Sequence, residues 1–259
     1  MVIDLSGKTA LVTGSTAGIG FGIVEGLIAA GATVVLNGRT QEEVDAAVAK
    51  VDGAASGIVA ELGTTEGHQA LIAALPAADI VVSNLGIIQM ADFFETDDAI
   101  WDRHWNTNVM AGVRLARSYL PGMQEKGWGR FLFLSSESGF NIPVEMIHYG
   151  VSKIADAALA RGLAKRMAGT GVTVNSVLAG PTLSASVTTM LEQQRGDSDR
   201  SIEELAIDYV KQHRPTSIIG RAASVGEVAN MVVYLASEQA SATTGAALRV
   251  DGGVIDTVM

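Results

Sequence analysis

The sequence predicts a single doubly wound α/β domain built on a parallel sheet. Short β-branched runs alternate with longer alanine-rich stretches of helical character, which is the pattern of βαβ units. A length of 259 residues suits one large α/β domain or two small ones, and we find no linker or internal repeat in the chain. We therefore expect one Rossmann-type domain over residues 1–259, with seven parallel strands and helices on both faces of the sheet.

Each element follows from a local signal. The β-branched runs predict strands over residues 9–13, 33–36, 57–60, 80–84, 131–135, 172–177 and 247–250. The stretches between them predict helices over residues 19–30, 41–51, 66–75, 101–119, 149–168 and 225–236. Gly31 and Gly169 follow the first and the fifth of these helices, where glycine favours a C-terminal cap.

The segment 183–220 departs from this alternation because it is polar and charged. Its charged residues include Glu192, Arg195, Asp197, Asp199, Arg200, Glu203, Glu204 and Asp208. They surround a predicted amphipathic helix over residues 201–213. A long insertion at this end of an α/β sheet commonly covers the ligand crevice, so we predict a substrate lid. The alternative is a solvated surface helix.

Charge and composition argue against several classes of partner. The formal net charge of −10 would repel phosphate backbones and anionic lipids, so we expect neither a nucleic acid nor a membrane. With no cysteine and four scattered histidines, we expect no disulfide and no metal site. The N-terminus lacks a basic region followed by an apolar stretch, and the uncharged stretch 168–191 contains Asn175 and Pro181. These features predict a cytoplasmic protein.

Residues 13–20 form a glycine-rich turn between the first predicted strand and the first predicted helix. In this arrangement, backbone amides and the positive end of the helix receive a pyrophosphate. Gly14, Gly18 and Gly20 would let the backbone approach the ligand closely. Ser15 and Thr16 would add hydroxyl donors. The spacing is GxxxGxG, and its position after a strand and before a helix predicts a dinucleotide site.

The end of the second predicted strand selects the cofactor. An acidic residue there would bind the ribose 2′-hydroxyl of NAD(H), but residues 36–40 contain no carboxylate. Arg39 suits a 2′-phosphate, because a guanidinium binds phosphate through a fork of donors. We therefore predict NADP(H) over NAD(H). The alternative is that Arg39 only caps a surface turn and pairs with Glu42 or Glu43.

Tyr149 and Lys153 are spaced i and i+4, which puts both side chains on one face of a helix. A free tyrosine has a pKa near ~10, and a neighbouring ammonium would lower that value. Ser136, thirteen residues before Tyr149, would hydrogen-bond a substrate oxygen. The set predicts hydride-transfer chemistry. Taken alone, the Tyr149–Lys153 pair would be weak evidence, because a surface helix with a snorkelling lysine is the more common source of this spacing.

In order and spacing, these motifs resemble the short-chain dehydrogenase/reductase superfamily over essentially the whole chain. The resemblance implies that Tyr149 is the general acid and base, that Ser136 holds the substrate oxygen, and that Lys153 also binds the nicotinamide ribose. It implies that Asn108 holds a proton-relaying water and that Thr182 binds the nicotinamide carboxamide. The implied cofactor-binding residues are Gly14, Ser15, Thr16, Gly18, Ile19, Gly20, Asn37, Gly38, Arg39, Thr40, Glu61, Leu62, Asn84, Leu85, Gly86, Tyr149, Lys153, Gly180, Pro181 and Thr182.

The chain departs from the family pattern at two places. Leu85 stands where the family commonly has a small residue against the cofactor. Ala179 precedes Gly180, where a proline is common. Neither position belongs to the reacting atoms.

The predicted function is an NADP(H)-dependent oxidoreductase that acts on a carbonyl or alcohol group of a small, moderately apolar molecule. The predicted substrate-pocket residues are Ser138, Phe140, Ile142, Val144, Met146 and Leu183. The alternatives are an NAD(H)-dependent alcohol dehydrogenase of the same fold and a non-catalytic nucleotide-binding scaffold. By resemblance, the chain is expected to form a homo-oligomer, a tetramer or dimer, with residues 251–259 meeting a neighbouring subunit.

Overall fold

The computed structural model describes residues 2–51, 54–196 and 198–258, and its main feature is a seven-stranded sheet. Its strands are β1 Thr9–Val12, β2 Thr33–Gly38, β3 Ala55–Val59, β4 Ile80–Ser83, β5 Gly129–Ser136, β6 Val172–Ala179 and β9 Ala247–Val250. They lie in the order β3-β2-β1-β4-β5-β6-β9, and every neighbouring pair is parallel. The predicted fold class and all seven predicted strands are confirmed.

Helices cover both faces of this sheet. They are α1 Gly18–Ala29, α2 Gln41–Ala49, α3 Thr65–Ala74, α4 Asp98–His104, α5 Ala111–Lys126, α6 Ile147–Arg166, α7 Ala185–Arg195, α8 Ile202–His213 and α9 Val225–Ala236. The predicted helix over 101–119 is interrupted, because a π-helical turn at Trp105–Met110 separates α4 from α5. Gly31 and Gly169 have positive φ angles just beyond α1 and α6, as the sequence predicted.

Two apolar layers hold the domain together. On one face of the sheet, α1 and α9 pack together through residues such as Ile23 and Val232, both completely buried. On the other face, α3, α5 and α6 contribute residues such as Leu71 and Leu115. Because both faces are covered, the central strands are continuous apolar runs rather than alternating ones. α1 and α9 approach closely at Gly22, where an added Cβ would lie 2.1 Å from Val225 Cγ1.

The sheet order reverses between β1 and β4, and this reversal positions the site. β2 and β3 lie to one side of β1, whereas β4, β5 and β6 follow on the other side. In open α/β sheets, ligands bind outside the carboxyl ends of the strands at such a switch point. The glycine-rich turn follows β1, and Ser136 ends β5.

The insertion starts and ends on a second, two-stranded sheet. β7 Thr182–Leu183 pairs in parallel with β8 Ala223–Ser224. The two ends of the insertion 184–222 therefore lie next to each other. Within it, α8 Ile202–His213 matches the predicted helix to one residue. α7 was not predicted, because its serine, threonine and valine residues have low helix propensity, although Ser184 caps it. The predicted charged residue Asp197 lies outside the described residues.

No helix in the described part of the chain combines the length and the apolar character needed to cross a bilayer.

Candidate active site

Two adjoining cavities lie at the carboxyl ends of the strands. The outer cavity, of about 730 Å³, extends from the glycine-rich turn to the ends of β2 and β3. The catalytic cavity, of about 420 Å³, extends from the same turn to the end of β5 and the start of α6. Gly14, Ala17, Leu85, Gly86 and Ile88 line both cavities. Together they form one elongated crevice along the sheet edge.

Ser136, Tyr149 and Lys153 all line the catalytic cavity. β5 ends at Ser136, and the first two turns of α6 carry the tyrosine and the lysine. All three are buried, with exposed fractions of 6%, 7% and 4%. The interpretation of the Tyr149–Lys153 pair as a surface feature is therefore wrong. The pair faces the same crevice as the glycine-rich turn.

Two oxygen acceptors hold the Lys153 ammonium. It donates to the Leu134 carbonyl oxygen at 2.9 Å and to Asp156 Oδ2 at 3.2 Å. Asp156 lies one turn further along α6 and is 2% exposed, and its Oδ1 has no hydrogen-bond partner among the described residues. A Cβ at Gly86 would lie 3.3 Å from the Lys153 Nζ. The absence of a side chain at Gly86 therefore leaves room for the loop after β4 to approach the ammonium.

Burial, rather than Lys153, determines the direction in which the pKa of Tyr149 shifts. Burial raises this pKa above its ordinary value, Lys153 and a hydrogen bond with Ser136 lower it, and Glu137 and Asp156 raise it. The net pKa is raised, so the sequence-based expectation of an acidified phenol is corrected. Burial also raises the pKa of Asp156, to about 6, against the opposing effect of Lys153. For Lys153, burial lowers the pKa, but Asp156 and Tyr149 outweigh it and the net pKa is raised.

Asn108 lies in the π-helical turn between α4 and α5 and is buried. Its Oδ1 accepts from the Ile87 backbone nitrogen at 2.8 Å, and its Nδ2 donates to the Ile87 carbonyl oxygen and to Ser152 Oγ. The side chain therefore ties the segment after β4 to α6. π-Helical turns are frequent at functional sites, but the sequence pattern gave no signal for this one.

The glycine-rich turn has the backbone conformation that its sequence predicted. Gly14 and Gly18 both have φ of +58°, which side-chain-bearing residues rarely adopt. The Ser15 hydroxyl, predicted to face the ligand, instead donates to the Val12 carbonyl oxygen at 2.7 Å and accepts from the Asn37 nitrogen at 3.1 Å. Ser15 is completely buried and builds the turn. Thr16 lines the outer cavity.

The start of α1 fits a pyrophosphate. Its N-cap residue, Ala17, offers no side-chain acceptor, and no acidic residue occupies the first turn. By contrast, Thr40, Thr64 and Ser224 cap α2, α3 and α9 with side-chain oxygens. The first amides of α1 thus have no side-chain cap at the junction of the two cavities, where an anion would be stabilised.

The loops after β4 and β6 complete the crevice. Asn84 Nδ2 donates to the carbonyl oxygens of Thr13 and Gly14 at 2.8 Å, which fixes the loop after β4 to the turn. Leu85 packs against Gly14, where an added Cβ would lie 3.1 Å from the Leu85 Cα. The predicted residues Ile19, Gly20, Gly180, Pro181 and Thr182 all line the catalytic cavity.

At the far end of the outer cavity, Arg39 is present with 65% of its side chain exposed. Its guanidinium lies 4.0 Å from the Glu43 carboxylate, so the alternative surface pairing also occurs. Arg103 from α4 lines the same cavity and was not predicted. The outer cavity as a whole is therefore lined by two arginines, Arg39 and Arg103, and by two carboxylates, Glu43 and Glu61.

Of four predicted cofactor-binding residues at or just after the ends of β2 and β3, two line the outer cavity and two have structural roles. Gly38 and Glu61 line the outer cavity. Thr40 accepts from the Glu43 nitrogen as the cap of α2, and Leu62 is 1% exposed and packs in the core with α3 and α5. Asn37 lines the cavity, but its amide donates to the carbonyl oxygens of Gly38, Ile58 and Ala60 and so braces β2 against β3.

The membership of the predicted substrate pocket is corrected in part, although apolar residues such as Ile88, Met90 and Val187 line the catalytic cavity. Ser138 and Met146 line the catalytic cavity, but the residues that line it do not include Phe140, Ile142, Val144 or Leu183. Phe140 and Val144 are 44% and 79% exposed. The chain turns outward between short 3-10 turns at Glu137–Gly139 and Val144–Met146, and Ile142 covers Gly150 of α6.

Sequence reasoning missed two charged residues in the wall of the catalytic cavity. Glu137 is 3% exposed, accepts from Ser136 Oγ at 2.5 Å and accepts from Arg214 Nε at 2.7 Å. A charged residue directly after Ser136 was an available signal for Glu137. Arg214 follows α8 and is 77 residues away in sequence, so no local pattern indicated it.

Comparison with known proteins agrees with this geometry. Residues 14–255 match the family described as Enoyl-(Acyl carrier protein) reductase. The Bacillus subtilis protein named Uncharacterized oxidoreductase YvaG is 42% identical, and the match covers 100% of both chains. L-Sorbose reductase from Gluconobacter frateurii, solved with NADPH and L-sorbose, is 30% identical with a TM-score of 0.91 over 100% of both chains. A structure named short chain dehydrogenase/reductase family protein is 33% identical, covers 98% of this chain and 100% of its own, and has a TM-score of 0.86.

Proposed function

Because this chain belongs to the short-chain dehydrogenase/reductase family of NAD(P)-dependent oxidoreductases, we propose that it is an NADP(H)-dependent reductase of carbonyl groups. One observation carries the proposal. Ser136, Tyr149 and Lys153 lie together in a buried wall of a crevice that continues to the first amides of α1, which have no side-chain cap.

In this proposal, Tyr149 gives its phenolic proton to the carbonyl oxygen and receives a proton when the reaction runs in reverse. Ser136 orients the same oxygen, and Lys153 stabilises the phenolate that forms. A bound nicotinamide cofactor would supply the hydride. The raised pKa of Tyr149, caused mainly by burial, keeps the phenol protonated at neutral pH. A protonated phenol is the form that carbonyl reduction requires, and the phenolate is the form that alcohol oxidation requires.

The preference for NADP(H) is supported by charge. β2 ends without a carboxylate, and Arg39, directly after that strand, lines the outer cavity where a 2′-phosphate would lie. The similar L-sorbose reductase was solved with NADPH. The 4.0 Å approach of Glu43 to Arg39 is the observation that favours the alternative, an NAD(H)-dependent alcohol dehydrogenase.

A non-catalytic scaffold is the weaker candidate. Such a protein would be expected to lose part of the catalytic set, whereas Asn108, Ser136, Tyr149 and Lys153 are all present and buried. The cytoplasmic location and the homo-oligomer, a tetramer or dimer, stay predictions from the sequence. Met259 of the terminal segment expected to meet a neighbouring subunit lies outside the described residues.

Replacing Tyr149 tests the mechanism. Tyr149→Phe removes one hydroxyl, so we expect the turnover number for carbonyl reduction to fall at least about 100-fold while NADPH still binds. Turnover can be followed by NADPH oxidation, and binding by the fluorescence of the bound cofactor.

Tyr119→Phe is a matched control. Tyr119 is also a buried tyrosine, but its hydroxyl donates to the Leu75 carbonyl oxygen away from both cavities. We expect this variant to keep its turnover and to lose about 1 kcal/mol of unfolding free energy. If Tyr149→Phe turned over within tenfold of the unmodified protein, the proposed mechanism would be wrong.

A further inference from the structure

Glu137 and Arg214 form a buried ion pair beside the residues that would hold the reacting oxygen. One oxygen of Glu137 accepts from Ser136 Oγ, and the other accepts from Arg214 Nε. The Arg214 side chain is 12% exposed and the Glu137 side chain 4%. Both residues line the catalytic cavity with Tyr149. The proposed reduction uses neither of them, so their presence there requires another explanation.

The pair also connects the insertion to the catalytic strand. Arg214 follows α8, and its NH2 group lies 3.4 Å from Ser138 Oγ, so one guanidinium contacts two residues of the turn after β5. Ser184 and Tyr209 of the insertion line the same cavity. A molecule that enters between α8 and the end of β5 would therefore lie against the ion pair.

The pair has hydrogen-bonding capacity beyond its contacts within the described part of the chain. A carboxylate has roughly four lone-pair sites. The Glu137 carboxylate uses one for Ser136 and one for Arg214. A guanidinium has about five N–H donors. Arg214 directs one to Glu137, one to the His213 carbonyl oxygen and one to Ser138. Acceptors and donors therefore remain side by side in the cavity wall.

The charges around this wall balance. Glu137 pairs with Arg214, and Lys153 pairs with Asp156. The Glu137–Arg214 pair itself thus has no excess charge with which to attract an anion. A hydroxyl group can donate to the carboxylate and accept from the guanidinium, whereas an apolar substituent can do neither. The arrangement suits a neutral substrate with hydroxyl groups close to its carbonyl.

We propose that Glu137 and Arg214 select neutral hydroxylated carbonyl compounds, namely α-hydroxy ketones and ketoses. The inference rests on the proposed reductase function and names its substrate class. An unsubstituted ketone would displace water from the pair without replacing its hydrogen bonds, and a site built for a hydroxyl rejects an analogue that lacks it. We expect each hydroxyl group to raise kcat/KM by roughly 10- to 100-fold.

Two matched sets of substrates test this preference. Acetone, hydroxyacetone and pyruvate share a three-carbon skeleton, and butanone and erythrulose share a four-carbon one. With NADPH and the unmodified enzyme, we expect hydroxyacetone to exceed acetone and pyruvate by at least about tenfold in kcat/KM, and erythrulose to exceed butanone by more.

Variants connect the preference to the pair. In Glu137→Gln, we expect the ratio of kcat/KM for hydroxyacetone to that for acetone to fall towards one. The ratio cancels any effect of the substitution on Tyr149 that both ketones share. Because breaking a buried ion pair can prevent folding, the double variant Glu137→Gln/Arg214→Met replaces both charges and should show the same fall. Asp208→Asn breaks an exposed ion pair with Arg200 on the same insertion and should leave the ratio unchanged.

The outcomes separate this inference from the proposed function. The proposed substrate class would be wrong if acetone or butanone were reduced as fast as their hydroxylated partners, or if pyruvate were preferred. Either result would leave the proposed reductase function unaffected. If the ratio of kcat/KM for hydroxyacetone to that for acetone stayed constant in both Glu137 variants, the ion pair would not determine substrate selectivity. NADPH binding without reduction of any carbonyl compound would overturn the function itself, and the inference with it.

Discussion

At the residue scale, two buried carboxylates near Tyr149 oppose the effect of Lys153. Glu137 and Asp156 both raise the pKa of the phenol, whereas Lys153 lowers it. Neither carboxylate belongs to the motif that the sequence indicated. Lys153 shares its ammonium with Asp156 at 3.2 Å, so part of its charge is neutralised before it acts on Tyr149.

This opposition predicts a pH effect. In Asp156→Asn, a negative charge that raises the pKa of Tyr149 is removed, so that pKa should fall. Alcohol oxidation needs the phenolate, and its rate rises with pH as Tyr149 ionises. The rising limb of kcat/KM against pH for oxidation should therefore move to lower pH in the variant. The pKa of Asp156 is about 6, so the carboxylate is ionised in the alkaline range where this limb lies.

Asp79→Asn is the matched control for this measurement. Asp79 is also buried, pairs with Lys126 and accepts from the Thr9 nitrogen at 2.9 Å, at the opposite end of the sheet. Removing the Asp79 carboxylate should leave the rising limb of kcat/KM against pH for oxidation unchanged. A limb that does not move in Asp156→Asn, or that moves to higher pH, would contradict the role given to Asp156.

At the element scale, α8 and α9 begin with the same N-terminal capping arrangement but pack in different parts of the molecule. Ser201 and Ser224 each accept from the backbone nitrogen three residues on, and Glu204 and Glu227 each accept in return from the serine nitrogen. Each is a capping box. α9 packs against α1 in the core, whereas α8 lies in the insertion between β7 and β8.

The difference predicts unequal losses of stability. Ser224→Ala should lower the free energy of global unfolding by about 1 kcal/mol, because α9 cannot fray without exposing the core. Ser201→Ala removes an equivalent cap but should change global unfolding much less, since the insertion can open locally. Chemical denaturation measures the first effect, and amide exchange within α8 measures the second. Equal losses in global unfolding would show that the insertion and the core unfold together.

At the scale of the whole molecule, a bound dinucleotide would connect the ends of β1, β2, β4, β5 and β6. A ligand that binds only the folded chain stabilises all of it, by about 2.7 kcal/mol at a concentration of 100 times its Kd. We therefore expect NADPH to raise the Tm of the protein more than NADH does at equal concentration.

Arg39→Ala tests the origin of that difference. The variant should lose most of the rise in Tm that NADPH gives, and its KM for NADPH should increase, while the values for NADH change little. Arg200→Ala, which removes another exposed arginine far along the chain, should change neither. If Arg39→Ala weakened the binding of NADPH and NADH equally, the guanidinium would not bind the 2′-phosphate. Its pairing with Glu43 would then be the better explanation of its position.

The sequence by itself determined the fold class, the seven strands and the placement of the glycine-rich turn, Ser136, Tyr149 and Lys153. These features depend on hydrophobic periodicity and on spacings of a few residues, which are legible along the chain. The sequence also located the insertion, because its composition differs from that of its surroundings.

Only the tertiary structure decided which way side chains point and which distant groups meet. Ser15 and Leu62 turned inward, Phe140 and Val144 outward, although their neighbours in sequence follow the expected pattern. Glu137 meets Arg214 across 77 residues, and burial outweighs Lys153 in setting the pKa of Tyr149. Desolvation and long-range pairing depend on how the layers pack, and no local pattern carries that information.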